Sequence, residues 1–398
     1  MSSRTLALLL AFIAAPLSAQ PVPEGAENLP DITPAFAQQT EAPQRITAGG
    51  LTATPVAQGL VHPWGLAILP GNAGYLVTER PGTLRHISTD GVVSPPLGNV
   101  PVVHAVQQGG LLDVALAPDF ADSRIIYLTY AKPLGGGMSA TAAARAVLSQ
   151  DMTTLTDVQE IFEQTPPSPT PMHYGSRIRP TADGMVYITT GEHSSRAERV
   201  LSQALSTTYG KVVRIATDGT AVADNPFAQT DTAQPQIYSY GHRNIQGAAL
   251  HPGTGALWAI EHGPAGGDEL NLIVAGENYG WPVVSYGQNY NGTPIGTGAS
   301  RHAPDFTEPR YYWDPVIAPG DMTFYQGDMF PQWQGNALIG GLVAGAIVRL
   351  ELDGDTVVAE ERLLEGIGRV RDVDVDHDGS ILILTDYEDG ELIRVTPE

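Results

Sequence analysis

A short β-prone run, set off by a turn containing Gly or Asp-Gly and usually closing on a polar or glycine-bearing tail, recurs six times after Leu51. This recurrence constrains the chain more than any single motif does. The runs are Tyr75-Leu-Val-Thr, Ile125-Ile-Tyr-Leu-Thr, Met185-Val-Tyr-Ile-Thr, Ala256-Leu-Trp-Ala-Ile, Ala337-Leu-Ile-Gly and Ile381-Leu-Ile-Leu-Thr. Asp-Gly pairs at 90–91, 183–184, 218–219, 353–354, 378–379 and 389–390 supply the positive-φ positions that tight hairpins require. Six units over about 350 residues give roughly 58 residues each, longer than the ~40–50 of compact propeller repeats and suited to four-stranded blades with long loops. With 44 Gly, 32 Pro and no long amphipathic helix pattern, the chain reads as all-β. The expected fold is a six-bladed β-propeller of four-stranded antiparallel blades over residues 51–398. A sandwich or β-helix is the alternative, because the spacing is irregular. A propeller gathers ligands at one mouth of its channel, so functional residues should be scattered along the sequence.

Charge narrows the partners. Lys plus Arg number 21 against 43 Asp plus Glu, a formal net charge of −22, which repels nucleic acid and anionic membranes. Only Lys132 and Lys211 are lysines, so nearly every cation is an arginine able to hold a carboxylate with two prongs. There is no Cys, which excludes thiolate catalysis and Cys-ligated zinc. Residues 1–19 place Arg4 before the apolar run Leu6 to Ala15 and end in small residues, the pattern of a signal peptide cleaved after Ala19. The expectation is a periplasmic or secreted protein without membrane insertion after cleavage. Residues 20–50, rich in Pro, Ala, Gln and Thr without periodicity, read as a flexible leader.

Four constellations carry candidate chemistry. His173-Tyr-Gly-Ser-Arg177 puts an imidazole, suited to proton abstraction near neutrality, on a glycine turn; a structural histidine is the alternative. Gly241-His-Arg243-Asn244-Ile-Gln246-Gly247 clusters donors for an oxygen-rich ligand, or forms a solvated loop. Glu261-His-Gly263-Pro264, with Asp268-Glu269 and Asn278-Tyr279-Gly-Trp281-Pro282, offers turn carbonyls and carboxylates as hard oxygen ligands for Ca²⁺, or is a solvated acidic turn. Arg369-Val-Arg371-Asp372 would place two guanidinium groups on one strand face, where both could hold carboxylates. The segment Asp374-Val-Asp376-His-Asp378-Gly379 imitates an EF-hand loop, but Thr385 stands where a bidentate Glu belongs.

These constellations, with Val61-His-Pro-Trp-Gly65 and Gln108-Gly-Gly-Leu-Leu-Asp113, resemble the soluble pyrroloquinoline quinone (PQQ)-dependent sugar dehydrogenases, in the aldose branch of the glucose/sorbosone dehydrogenase family. The resemblance implies a six-bladed propeller that oxidises aldose sugars at C1 to lactones with PQQ and Ca²⁺ as cofactors. It implies that His173 is the general base while C1 delivers hydride to C5 of PQQ, and that Arg243 polarises the C5 oxygen. Gln108 would touch the substrate. Asn244 and Gln246 would hold cofactor oxygens, and Arg369 and Arg371 would clamp its carboxylates. The carbonyls of Gly263 and Pro264 would ligate Ca²⁺, with Glu269 and Tyr279 framing a second, structural Ca²⁺. The chain departs from the glucose dehydrogenase branch twice. Gly340-Gly-Leu342-Val343-Ala-Gly holds no basic residue where that branch has a lysine on PQQ, and Met172 replaces a sugar-touching aspartate, which implies a broad aldose range. The electron acceptor is not legible. A Ca²⁺-dependent propeller lactonase, or a binding propeller without catalysis, is the alternative reading; the first needs several carboxylates on one metal, and the second has no need of a base beside an anion clamp.

Overall fold

The computed structural model describes residues 20–299 and 301–398; the expected signal peptide lies outside them. The chain forms six antiparallel sheets in sequence order. Their innermost strands are Pro63–Ile68, Leu111–Leu116, Gly175–Pro180, Ile245–Leu250, Pro319–Phe324 and Val370–Val375, each beside the next, with the last returning to the first. This closed ring is the six-bladed β-propeller expected from the repeat. Five sheets have four strands; blade 1 has three, and a single bridge from Ile87 to Val93 stands outside its third. Blade 6 is closed by the earliest strand, Leu51–Leu60, pairing with Gly390–Pro397, so the two ends of the fold lock the ring.

The recurring run turns out to be the second strand of every blade: Tyr75–Glu79, Ile125–Pro133, Met185–Thr190, Leu257–Glu261, Ala337–Gly341 and Ile381–Thr385. That strand is flanked by sheet on both edges and packed on both faces, which is why it reads as a continuous apolar run. Its residues feed six apolar clusters, one in each cleft between neighbouring blades. Leu76 and Ile126 meet between blades 1 and 2, for example, and Leu338 and Ile383 between blades 5 and 6.

Residues 20–50 depart from the flexible leader expected of them. They lie against blades 4 and 5: Gln39 is buried and donates to the Pro309 carbonyl at 3.0 Å, the Ala42 amide donates to the Tyr311 hydroxyl at 2.9 Å, and Asn28 is held by Asp314. These contacts run through backbone groups and isolated polar side chains, so they leave no hydrophobic period in the sequence. Among the described residues no helix is long and apolar enough to cross a membrane.

Inside the channel, Arg177 of blade 3 is buried against Asp113 of blade 2 at 2.8 Å, Asp372 of blade 6 at 2.9 Å and Asp321 of blade 5 at 3.2 Å. Arg179 also reaches Asp113 and Asp321. Burial works to lower the Arg177 pKa, but the three carboxylates outweigh it and hold it above the ordinary value. This ion cluster ties four blades together across the axis.

Candidate active site

Because the innermost strands all run the same way, the residues just before them meet at one mouth, together with the residues just after the antiparallel second strands. The first group supplies Gln108, His173, Arg243, Asn244 and Arg369; the second supplies Arg80, Glu192, His262, Leu342 and Asp386. All of these except Glu192 line one cavity of about 370 Å³. A larger opening of about 440 Å³ at the opposite mouth is walled mainly by apolar side chains and strand backbone, and none of the expected site residues line it.

His173 has a positive φ of 48°, an uncommon backbone state for a non-glycine residue. It is held there from three sides: its amide donates to Gln108 Oε1 at 2.8 Å, the following Gly175 amide donates to Asn244 Oδ1 at 3.0 Å, and Gly191 lies against its carbonyl. A Cβ on Gly191 would sit 1.9 Å from the His173 oxygen, so glycine is required at that crossing. The His173 Nδ1 lies 3.3 Å from Glu192 Oε1. Burial, and then the charge of Arg243, push the imidazole below its ordinary pKa against the pull of Glu192. Burial works to raise the Glu192 carboxyl, but His173 and Arg243 outweigh it and leave it below the usual range.

Arg243 is buried, and its amide and Nη1 are fixed by Glu261 Oε2 at 2.6 Å and the His262 carbonyl at 3.0 Å. Its Nε is buried without a hydrogen-bond partner among the described residues. Arg371 donates from Nη1 to Gln246 Oε1 at 2.6 Å and from Nη2 to Asp386 at 2.7 Å. Gln246 Oε1 is therefore an acceptor, and His262 at 3.0 Å must donate to it through Nε2. Burial, with Arg371 and Arg243 nearby, keeps His262 well below its ordinary pKa and hence neutral. Asp386 also touches His62 Nδ1 at 3.0 Å; burial opposes its charge, yet Arg371 outweighs burial and holds the carboxyl far below the usual range. Arg369 is partly exposed, 3.9 Å from Asp386.

Gly263 borders the same cavity, and Pro264 the small pocket beside it, where Glu261, Glu269, Tyr279 and His302 also meet. Gly263 and Pro264 are buried, and neither carbonyl accepts a hydrogen bond among the described residues. Among those residues no group of three His, Asp or Glu is placed to hold a metal ion, so a cation here would depend on backbone oxygens and on ligand oxygens. Burial, and then Glu261, push the Glu269 carboxyl well above its usual pKa. The Tyr279 hydroxyl is already committed, donating to the Leu272 carbonyl at 2.6 Å and accepting from the Val274 amide at 2.9 Å.

The expected residues Gln108, His173, Arg243, Asn244, Gln246, Arg369, Arg371 and Gly263 thus converge on the cavity, while Pro264, Glu269 and Tyr279 frame the adjoining pocket. Gln108, Asn244 and Gln246 spend their carbonyl oxygens on the protein itself, organising the loops of His173 and Arg371. Glu192, His262, Asp386, Arg80, His62 and Trp64 had no assigned role in the sequence, and Glu261, offered there as a possible Ca²⁺ ligand, holds His242 and the Arg243 amide. Four of them, Arg80, Glu192, His262 and Asp386, follow within two residues of a recurring second strand, and that position is the signal that could have found them. Of the long segment after Asn289, Tyr290 borders the cavity, whereas Asp314 turns back to hold Asn28.

Comparison with known proteins supplies the class. The Glucose / Sorbosone dehydrogenase family matches residues 60–394. The aldose sugar dehydrogenase YliI of Escherichia coli (strain K12) is 42% identical over 339 residues, covering 85% of this chain and 91% of that one. The crystal structure of the soluble aldose sugar dehydrogenase from Escherichia coli in the apo-form superimposes with a TM-score of 0.84 at 41% identity, covering 87% of this chain and all of that one. The PQQ-bound form of aldose sugar dehydrogenase from Streptomyces coelicolor gives 0.72 at 29% identity, covering 90% of this chain and all of that one. The chain belongs to the glucose/sorbosone dehydrogenase family.

Proposed function

We propose that the protein oxidises aldose sugars at C1 to lactones with PQQ and Ca²⁺, using His173 as the base, after export through a cleaved signal peptide at residues 1–19. The observation that carries this reading is the meeting of a buried imidazole with Arg243, Arg369 and Arg371 in one cavity of a chain whose net charge is −22. The donor set fits the cofactor. PQQ is a planar tricarboxylate, the cavity is the size of a small ligand, and among the described residues the Arg243 Nε and the Gly263 and Pro264 carbonyls make no hydrogen bond, the carbonyls being suited to Ca²⁺. When bound, PQQ supplies the two-electron acceptor.

The His173 Nδ1 faces Glu192 Oε1 at 3.3 Å, a charge contact and not a formed hydrogen bond, which leaves Nε2 to take the proton of the anomeric hydroxyl. Its depressed pKa keeps the imidazole unprotonated at neutral pH, the form a base requires. Arg243, its amide anchored by Glu261 and its Nη1 by the His262 carbonyl, would stabilise the negative charge that the acceptor oxygen gains. Neutral His262 and Gln246 set the orientation of Arg371 and add no competing charge. Glu269 and the Tyr279 backbone would hold the second Ca²⁺. An Arg243 with its Nε open and a base facing an acid favour this over a scaffold propeller; among the described residues no group of three His, Asp or Glu is placed to hold a metal ion, which disfavours a metal-dependent lactonase.

The test is a titration of purified apoprotein with PQQ and Ca²⁺, followed by aldoses with a dye acceptor. Activity should appear only with both additions. Lactone hydrolysis without PQQ, or no sugar oxidation with it, would replace this reading.

A further inference from the structure

We propose that Arg80, at the end of the second strand of blade 1, is a carboxylate-binding arm of the cofactor site, acting with Arg369 from blade 6; the inference rests on the PQQ reading above. It starts from how each guanidinium around the cavity is already committed. Arg371 uses Nε and Nη2 on Asp386 and Nη1 on Gln246, so all three of its nitrogens have protein partners. Arg243 uses Nη1 on the His262 carbonyl. The blade 5 wall, made by Ala318, Leu342 and Val343, offers no cation. An anionic ligand must therefore be met largely from blades 1 and 6, where Arg80 and Arg369 border the same cavity.

Arg80 is mounted rigidly. Its amide donates to the His62 carbonyl at 3.1 Å, and its own carbonyl accepts from the Leu111 amide at 3.1 Å, which pins the backbone between blades 1 and 2. The side chain is half-buried, and among the described residues its one hydrogen bond runs from Nη1 to the Gln107 carbonyl at 3.0 Å. That bond tethers one end of the guanidinium, and among the described residues its other N–H groups make no hydrogen bond, which leaves them for the paired contacts that carboxylate recognition uses. Its charge also reaches Asp386, which places it in the same field as Arg369 and Arg371. With Arg80 included, two guanidinium groups with open donors, Arg80 and Arg369, border the cavity for the ligand's carboxylates, leaving Arg243 to the acceptor oxygen.

The experiment is equilibrium binding of PQQ to the apoprotein in the presence of Ca²⁺, read by quenching of tryptophan fluorescence, for which Trp64 in the cavity wall is a reporter. Arg80→Ala should raise the dissociation constant about tenfold, the size of one charged hydrogen bond, and flatten its salt dependence. Arg80→Lys should recover part of the loss, because charge remains without the fork. Arg85→Ala, whose partner is Glu79 and which lies outside the cavity, should bind as the wild type does. A dissociation constant for Arg80→Ala equal to that of the wild type overturns the proposal, including when turnover falls because Arg80 merely braces Gln107 and Gln108. Absence of quenching in the wild-type protein would instead remove the PQQ reading itself, and Arg80's role with it.

Discussion

Two sets of arginines sit in the same channel and do opposite things. Arg177 and Arg179 are surrounded by Asp113, Asp321 and Asp372, one carboxylate from each of three other blades, and their charge is answered within the fold. At the mouth, Arg80, Arg243, Arg369 and Arg371 border a cavity lined by a single carboxylate, Asp386, which is engaged by Arg371. The same residue type is a structural tie in one place and, on the function proposed above, an anion receptor in the other, and the difference is the number of acids supplied. In a chain with 22 more acids than lysines and arginines, guanidinium groups only partly answered at one place suit an anionic ligand.

The contrast can be broken from either side. The largest effect is expected at the mouth: His173→Gln should lower turnover by roughly 10²–10⁴, the usual worth of a general base, while PQQ binding and the melting temperature stay put. Steady-state kinetics beside a fluorescence titration will show it, and retained turnover would discard His173 as the base. In the channel, Arg177→Ala leaves three buried carboxylates with Arg179 alone to answer Asp113 and Asp321 and nothing for Asp372 but its backbone contacts, and should cost about 3–5 kcal/mol in urea unfolding. A variant as stable as the parent would mean that the ion cluster does not tie the blades.

Glu192→Gln should sharpen the comparison by showing that an acid behind the base tunes it. Turnover should fall about tenfold, in line with one weakened charged contact. Glu192 favours the protonated imidazole, so its removal lowers the His173 pKa further and the acid limb of the pH–rate profile moves to lower pH. A limb that stays in place, or moves up, contradicts the pairing. The smallest effect belongs to Tyr290, which is 80% exposed at the rim. Tyr290→Ala should change the ratio of kcat/KM between aldoses by a few-fold and leave PQQ affinity alone; an unchanged sugar profile would separate this loop from the substrate.

Much of the architecture was legible because the second strands are flanked by sheet and largely buried on both faces, and so read as apolar runs; Ile381–Thr385, buried at every position, shows this plainly. Blade 1 was less so, since its outermost pairing shrinks to the single bridge at Ile87 and Val93. The packing of residues 20–50 was invisible for another reason: Gln39 and Asn28 are held by individual hydrogen bonds, and such contacts have no period. At the site, His173, Arg243 and Arg369 stood out as rare functional groups beside glycines. Gln108, Asn244 and Gln246 were recognised, but the structure shows their carbonyl oxygens turned to the protein's own backbone and side chains. Glu192 and Asp386 gave no signal alone, because an isolated acid in so acidic a chain looks like any other.

The sequence by itself determined the number of blades and the chemical inventory of the mouth, since burial pattern and side-chain type are written locally along the chain. Which charges would be answered and which left open was decided only by the tertiary structure. Arg177 and Asp372 are 195 positions apart, and whether a guanidinium finds an acid depends on distances across the ring, which exist only once the ring has closed.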